Sequence, residues 1–220
     1  KKLNQDQINQ EINFVESLLE NNTYQNILNK LKSKFYLKDI RKLPNQVVGL
    51  KKLNFILVKH DYAAVDKADG ERLLFYLNGE NLYTIDLAFN VKKINTIIKK
   101  HNESLIDGEL VTIKGKKVFL VFDCLLFEGK DIRENFLKQR LDMGDKVQKY
   151  LNTLNTEIEF RLKKFYFEND IFKASEKVLN SKYQYELDGV IYTPTNKPYS
   201  GENFKWKPSE FLTIDFVIKD

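Results

Sequence analysis

The stretch Lys67-Ala68-Asp69-Gly70-Glu71-Arg72 decides how this chain of 220 residues is interpreted. It lies between two runs, 55–65 and 72–77, whose β-branched and aromatic residues are typical of strands. Gly70 permits the tight backbone of a connection between strands. Lys67 follows two alanines and a valine, so we expect partial desolvation, which favours the free amine that a nucleophile needs. The alternative is an ordinary exposed turn, because Asp-Gly is common in hairpins.

Four more short motifs follow Lys67 along the chain. Asp107-Gly108-Glu109, at the edge of a predicted strand, offers a carboxylate for ribose hydroxyls or is a solvent-facing turn. Val121-Phe122-Asp123 lies in an apolar strand, where Phe122 either stacks on a base or belongs to the core. Asp188-Gly189-Val190-Ile191 offers a carboxylate that suits a hard metal ion. Lys205-Trp206-Lys207 places two cations on one face of an extended segment, which suits a triphosphate or only improves solubility.

In this order the five motifs resemble those of the covalent nucleotidyltransferases, which include mRNA capping guanylyltransferases and ATP-dependent DNA and RNA ligases. The capping guanylyltransferases are the closer match, because ligases usually carry Glu-Gly where this chain has Asp188-Gly189. In addition, Trp206-Lys207-Pro208 followed by Thr213-Ile214-Asp215-Phe216 is typical of capping enzymes. The resemblance covers residues 44–216. This family normally continues into an OB-fold domain, whose last basic motif we expect outside this chain.

The resemblance implies a lysyl-nucleotide mechanism. Lys67 would attack GTP, release pyrophosphate and carry GMP, which then passes to the 5′-diphosphate end of RNA. The implied roles are Arg72 and Glu109 for ribose hydroxyls, Phe122 for guanine, Lys205 and Lys207 for phosphates, and Asp188 for Mg²⁺ or Mn²⁺. Less specific candidates are Asp69, Asp215, Arg133 and Arg140. Asp69 could simply brace its own turn, and the two arginines would either reach a triphosphate or RNA or lie on a solvated helix face.

The hydrophobic pattern predicts an α+β fold with sizeable antiparallel sheets and flanking helices. The resemblance implies that this is the ATP-grasp-like fold of ligase-type nucleotidyltransferase domains. Residues 3–34 read as two helices with a break at Asn21-Asn22. We therefore expect a helical segment at 1–43 and a nucleotidyltransferase domain at 44–220. Further helices are predicted at 135–154 and 171–182. The remaining predicted strands are 82–85, 105–113, 118–127, 158–167, 189–193 and 211–218.

The charge balance fits a protein that handles phosphates, and an ordinary solvated surface would give much the same balance. Lysine and arginine (36) outnumber acidic residues (31), which gives a formal charge of +5. No apolar run is long enough to cross a bilayer. Cys124 is the single cysteine and cannot form an internal disulfide, so we expect a reducing compartment, nucleus or cytoplasm, and the cytoplasm if the source is a large DNA virus.

Beyond RNA and GTP, the resemblance implies an OB-fold domain, with triphosphatase or methyltransferase domains in the same or a partner chain. No membrane partner is expected. Two alternatives stay open on the sequence alone. One is an ATP-dependent polynucleotide ligase that carries AMP, and the other is a nucleotide-binding module that is inactive in isolation.

Overall fold

The computed structural model describes residues 5–51, 54–154 and 156–208 of the chain. The predicted strand 211–218, and with it Asp215 and the motif at 213–216, lies outside these residues. The helices are α1 (Gln5–Lys34), α2 (Phe55–Val58), α3 (Leu137–Leu151) and α4 (Ile171–Leu179), with a 3₁₀ turn at Ile40–Lys42. The strands are β1 (Val47–Gly49), β2 (Tyr62–Ala68), β3 (Glu71–Ile85), β4 (Val91–Ile113), β5 (Lys116–Phe127), β6 (Lys130–Asp131), β7 (Ile158–Leu162), β8 (Leu187–Pro194) and β9 (Asn203–Trp206).

The strands form two sheets. The four-stranded sheet has the order β1-β9-β8-β2, in which β1 is parallel to β9 and the other neighbours are antiparallel. The five-stranded sheet runs β3-β4-β5-β6 with antiparallel neighbours, and β7 joins it in parallel alongside β5. The prediction of an α+β fold with largely antiparallel sheets is confirmed. The connection from β2 to β3 passes from one sheet to the other, so Asp69 and Gly70 lie where the two sheets meet.

Each face of the sheets that turns away from the other sheet is covered by a helix. Helix α3 packs on the five-stranded sheet through Val147 and Leu151, which contact a cluster of aromatic rings. Those rings are Phe75, Phe119 and Phe160. Helix α4 covers the four-stranded sheet, and its Ala174 and Val178 pack against β2 and β8. Because these helices bury the apolar outer faces of the sheets, the inner faces remain available for a ligand-binding site between the sheets.

The first helix differs from the prediction. Residues 5–34 form one helix that passes through Asn21 and Asn22, so the expected break is wrong. Asparagine lowers helix stability by only a few tenths of a kcal/mol, about as much as other polar residues, and this segment contains neither glycine nor proline. The second half of the helix is anchored, because Ile27 and Leu31 are buried against the five-stranded sheet. Within the described residues, no helix is both long enough and apolar enough to span a membrane.

Other boundaries also differ from those predicted. Residues 55–58 are helical, and the strand expected from 55 begins only at Tyr62. The runs 72–77 and 82–85 belong to one strand, because the ladder with β4 continues past Gly79 through a register shift. Gly79 has a φ of +64°, a conformation that glycine adopts without strain, and it absorbs this irregularity. The helices expected at 135–154 and 171–182 are confirmed with slightly shorter limits.

Candidate active site

A cleft separates the two sheets, and both contribute to its walls. Val65 of β2, Ile191 of β8 and Asn203 of β9 come from the four-stranded sheet. Arg72 of β3 and Phe122 of β5 come from the five-stranded sheet. The cleft therefore brings together residues that are far apart in the sequence, including three of the five motifs.

Strand register places Lys67 and Lys205 on one face of the four-stranded sheet. Val65 is opposite Ile191, and Ile191 is opposite Lys205. Side chains at directly opposite positions share a face, so Lys205 lies on the face that lines the cleft. Since side chains alternate along a strand, Lys67 continues this face two positions after Val65 in β2. Lys207 directly follows the end of β9 and is brought to Lys67 by their shared partner Asp188. Lys205 is exposed, and its side chain has no ion pair within the part of the chain that the structure describes.

Asp188 joins the two other lysines. Its carboxylate contacts the Lys67 amine, and its second oxygen lies 2.7 Å from Nζ of Lys207. Burial alone would raise the pKa of Asp188, but hydrogen bonds from Lys207 and Lys67 outweigh burial and lower it. The carboxylate is thus held ionised between two cations. Lys67 is 21% exposed, lies within strand β2 and contacts Asp188, so the ordinary exposed turn is excluded.

On the other wall of the cleft, the five-stranded sheet, a second carboxylate holds Arg72. Its Nε and Nη2 atoms lie 3.1 and 2.7 Å from the two oxygens of Asp107, a bidentate pair. Its Nη1 donates to the backbone carbonyl of Asn45 at 2.7 Å. The guanidinium carbon also lies 5.4 Å from the ring centre of Phe122. These contacts fix the position of Arg72 at the wall of the cleft.

The motif Asp107-Gly108-Glu109 lies in the middle of β4, which is paired on both sides. The expectation of a strand edge or a solvent-facing turn is therefore wrong. A Cβ on Gly108 would lie 2.5 Å from a ring carbon of Phe119, so close packing requires glycine here. Burial raises the pKa of Glu109, against the opposing effect of Lys163 and Lys67. Glu109 is thus directed into the charged cluster.

Lys163 is a member of this cluster that sequence reasoning missed. Its side chain is 1% exposed, and Nζ lies 3.0 Å from the carboxylate of Asp66 and 3.6 Å from that of Glu109. It also donates to the backbone carbonyl of Asp66 at 2.9 Å and lies 6.0 Å from the ring centre of Phe122. The sequence signal is the pair Lys163-Lys164 within the predicted strand 158–167, and such a pair is typical of a solvated surface.

Comparison with known proteins agrees with the motifs. Residues 9–209 match the family model described as mRNA capping enzyme, catalytic domain. The chain belongs to this family of capping enzyme catalytic domains. The match begins within α1, in a part of the sequence where no family motif is recognisable.

Three relatives illustrate the capping enzyme family. The mRNA-capping enzyme subunit alpha of Schizosaccharomyces pombe is 32% identical over 74% of this chain and 49% of its own length. A probable mRNA-capping enzyme of Acanthamoeba polyphaga mimivirus is 26% identical over 76% of this chain and 20% of its own length. The mRNA-capping enzyme of African swine fever virus (isolate Pig/Kenya/KEN-50/1950) is 29% identical over 72% of this chain and 18% of its own length. The chain therefore spans half or less of these relatives.

Among solved structures, the ligase domain of M. tuberculosis LigD is similar, with a TM-score of 0.47 and 15% identity. The similarity covers 74% of this chain and 57% of that one.

The two arginine candidates have structural partners in this capping enzyme domain. Arg140 on α3 is 1% exposed and forms a bidentate pair with Asp123, at 2.7 and 3.0 Å, so a solvated helix face is wrong for it. Arg133 pairs with Asp131 at 2.8 Å and donates to the carbonyl of Phe35. Both guanidinium groups are therefore occupied by the protein itself, and contact of either with RNA or a triphosphate stays a prediction.

Asp69 and Gly70 connect the two sheets of the capping enzyme domain. The backbone N–H of Asp69 donates to the carbonyl of Glu186, which anchors the turn next to the start of β8. A Cβ on Gly70 would lie 2.6 Å from the carbonyl oxygen of Leu110, so β4 leaves no room for a side chain at this position. The turn therefore fixes Lys67 relative to both walls of the cleft.

A metal ion would have few protein ligands here. Within the described residues, no group of three or more histidine, cysteine, aspartate or glutamate side chains could hold one. Mg²⁺ typically uses one or two carboxylates together with substrate phosphates and waters. Asp188, on the face of the lysines, fits this mode as a single carboxylate, so the donor set is compatible with a metal that arrives with a nucleotide.

Proposed function

We propose that this domain is an mRNA guanylyltransferase, which forms a lysyl-GMP intermediate from GTP and transfers GMP to the 5′-diphosphate end of RNA. The observation that carries the proposal is the contact of Lys67 with Asp188, whose second oxygen contacts Lys207. A lysine nucleophile, an adjacent carboxylate and further cations are the groups that attack on a nucleotide phosphate requires.

In the first step the lone pair on Nζ of Lys67 forms a bond to the α-phosphorus of GTP. The bond from that phosphorus to the bridging oxygen of the β-phosphate breaks, and pyrophosphate leaves. The Lys67 ammonium must lose two of its three protons, one before the attack and one as the P–N bond forms, and Asp188 is the carboxylate in contact with it. In the second step a β-phosphate oxygen at the RNA end attacks the same phosphorus, the P–N bond breaks, and the amine regains a proton.

The surrounding residues position the nucleotide. Lys205 and Lys207 neutralise charge on the phosphates, because Lys205 lies on the face that carries Lys67 and Lys207 contacts the same carboxylate as Lys67. Asp188 would hold Mg²⁺ or Mn²⁺, which would draw charge from the phosphate oxygens. Arg72 and Glu109 face the cleft from the other sheet, where they would hold ribose hydroxyls. These roles remain proposals.

The base is expected to stack on Phe122. This ring is half-buried at the cleft wall and has two cationic groups near it, Arg72 and Lys163. A buried ammonium donates hydrogen bonds only, so it favours the carbonyl O6 of guanine over the amino group of adenine. Lys163 lies near Phe122 but donates to Asp66, so the proposed preference for GTP over ATP rests on the resemblance of the motifs, with Lys163 as the candidate for this contact.

The partners belong to the same proposal, because the chain spans half or less of its relatives. They are the RNA 5′ end, an OB-fold domain, and triphosphatase or methyltransferase domains in the same or a partner chain. A location in the nucleus or cytoplasm is part of the same proposal, because the proposed substrate is RNA. The division into a helical segment, 1–43, and a nucleotidyltransferase domain, 44–220, is also proposed.

Labelling with α-labelled nucleotides tests the proposal. With GTP and a divalent ion we expect a labelled protein band, with much weaker labelling from ATP. Lys67→Ala and Lys67→Arg should abolish the band, since a guanidinium stays protonated and cannot attack. Lys149→Ala, at an exposed position of α3, is the matched control and should label normally. Preferred labelling from ATP would indicate a ligase, and absence of label with every nucleotide would indicate a module that is inactive in isolation.

A further inference from the structure

Tyr199, in the connection between β8 and β9, was not singled out by any motif. Its side chain is 6% exposed and lines the cleft beside Arg72. The hydroxyl donates to Asp107 at 2.7 Å, accepts from the backbone N–H of Asn45 at 2.9 Å, and lies 3.4 Å from Nη2 of Arg72. A phenol has one donor and two acceptor sites, so these three contacts use its full capacity.

The ring of Tyr199 is fixed from several sides. Its backbone N–H donates to the carbonyl of Arg133 at 2.7 Å, and its carbonyl accepts from the side-chain amide of Asn45 at 2.7 Å. The guanidinium carbon of Arg140 lies 5.8 Å from the ring centre. Arg140 thus supports this tyrosine through its guanidinium, and Arg133 supports it through its backbone carbonyl. A side chain held so firmly can determine the position of its neighbours.

The hydrogen-bond donors of Arg72 show how its contacts with Tyr199 and Asp107 orient the guanidinium. A guanidinium has five N–H groups. Two are directed at Asp107, one at the hydroxyl of Tyr199 and one at the carbonyl of Asn45. One N–H on Nη1 has no hydrogen-bond partner among the described residues. Since Arg72 lines the cleft, this is the donor that it can offer to a ligand, and its direction is set by the other four.

We propose that Tyr199 is a positioning residue for nucleotide recognition. Its hydroxyl holds the carboxylate of Asp107, and Asp107 holds Arg72 so that the remaining N–H points at a ribose hydroxyl of the bound nucleotide. The inference rests on the proposed function, because it takes the ribose contact of Arg72 as given. Loss of the hydroxyl should leave base and phosphate contacts intact and weaken recognition of the ribose selectively.

Equilibrium binding of GTP, 2′-deoxy-GTP and 3′-deoxy-GTP, measured by calorimetry without divalent ion, tests this inference. The unmodified chain should bind GTP more tightly than at least one deoxy analogue. Tyr199→Phe should reduce this preference roughly tenfold, a change of about 1.4 kcal/mol, while its affinity for that analogue changes little. Asp107→Asn keeps the side-chain size but removes the charge that holds Arg72, and should reduce the same preference.

Tyr192→Phe is the matched control. Tyr192 is also a buried tyrosine with a bonded hydroxyl, 2.9 Å from Ser175, but it packs under α4, away from the cleft. It should keep the full preference. An unchanged preference in folded Tyr199→Phe, or an equal loss of affinity for all three nucleotides, would overturn the positioning role. If the unmodified chain binds GTP but shows no preference for it over the analogues, the ribose role of Arg72 fails and this inference fails with it. If it binds no GTP at all, the proposed function fails.

Discussion

Replacing Arg140 by methionine should destabilise the domain far more than the loss of any surface ion pair. The guanidinium is 1% exposed and its partner Asp123 is 5% exposed, so neither charge is solvated by water. Removing one member of a buried pair leaves the other charge unpaired, which typically costs about 3–5 kcal/mol. Arg140 also donates to the carbonyl of Asn135 at 2.6 Å, and this bond is lost as well.

Urea denaturation at pH 7 measures the free energy of unfolding for this comparison. Lys149→Met on the same helix is the control, because that lysine is 70% exposed and its pair with Asp145 should contribute only about 0.3–0.5 kcal/mol. The double variant Arg140→Met/Asp123→Asn should recover part of the loss, since it removes the unpaired charge. A loss of less than about 1 kcal/mol for Arg140→Met would refute the argument.

The sign of the pH effect gives a further check on the same variant. Burial raises the pKa of Asp123, and in the native protein Arg140 opposes this effect. Without Arg140 the pKa should rise further. A carboxyl whose pKa is raised on folding loses stability as the pH increases through that pKa, so the penalty of Arg140→Met should be smaller at pH 5 than at pH 7.

Three other predictions concern the cleft. Gly189→Ala should destabilise the protein by about 1–3 kcal/mol in urea denaturation, because φ is +119° and a Cβ would lie 2.3 Å from the carbonyl oxygen of Trp206; no measurable loss would contradict this account. The pKa of Asp188 lies below its usual 3.8, so its ionised form stabilises the fold above that pH, and this stabilisation is lost as the pH falls. Asp188→Asn should therefore lose less stability than the parent between pH 5 and pH 2. Parallel plots of unfolding free energy against pH for the two proteins would exclude the ion pairs. Glu109→Gln should raise the midpoint temperature of thermal unfolding at pH 7, because burial raises the pKa of this carboxyl and disfavours its ionised form. A lower midpoint would mean that the attraction between Glu109 and Lys163 outweighs the cost of burial.

Local sequence patterns predicted which segments are helices and strands better than where those segments begin and end. Alternation and β-branched content identified most strands, because both report directly on burial of one face. The two asparagines at 21 and 22 led to a wrong break, since propensity is only a weak prior when hydrogen bonds continue along the helix. The strand limits of β3 and β4 depended on pairing with each other through register shifts, which no single run of residues encodes.

The order of the motifs predicted several residues of the cleft wall but not the side chains that hold those residues in place. Phe122 and Arg72 line the cleft, and Lys67 contacts Asp188, as expected for one site. Lys163 and Tyr199 were missed because neither belongs to a motif and each acts through contacts with residues far along the chain. For Arg140 the sequence left two readings open, contact with a triphosphate or RNA and a solvated helix face, because sequence alone does not show that Asp123 on β5 faces it.

The central claim is that the nucleotide is carried on Lys67. After incubation with GTP and Mg²⁺, proteolysis and tandem mass spectrometry under mildly alkaline conditions should locate one GMP on the peptide that contains Lys67. Acid treatment should release it, as expected for a P–N bond. GMP attached to Lys205, to Lys207 or to a hydroxyl side chain, with Lys67 unmodified, would contradict the account.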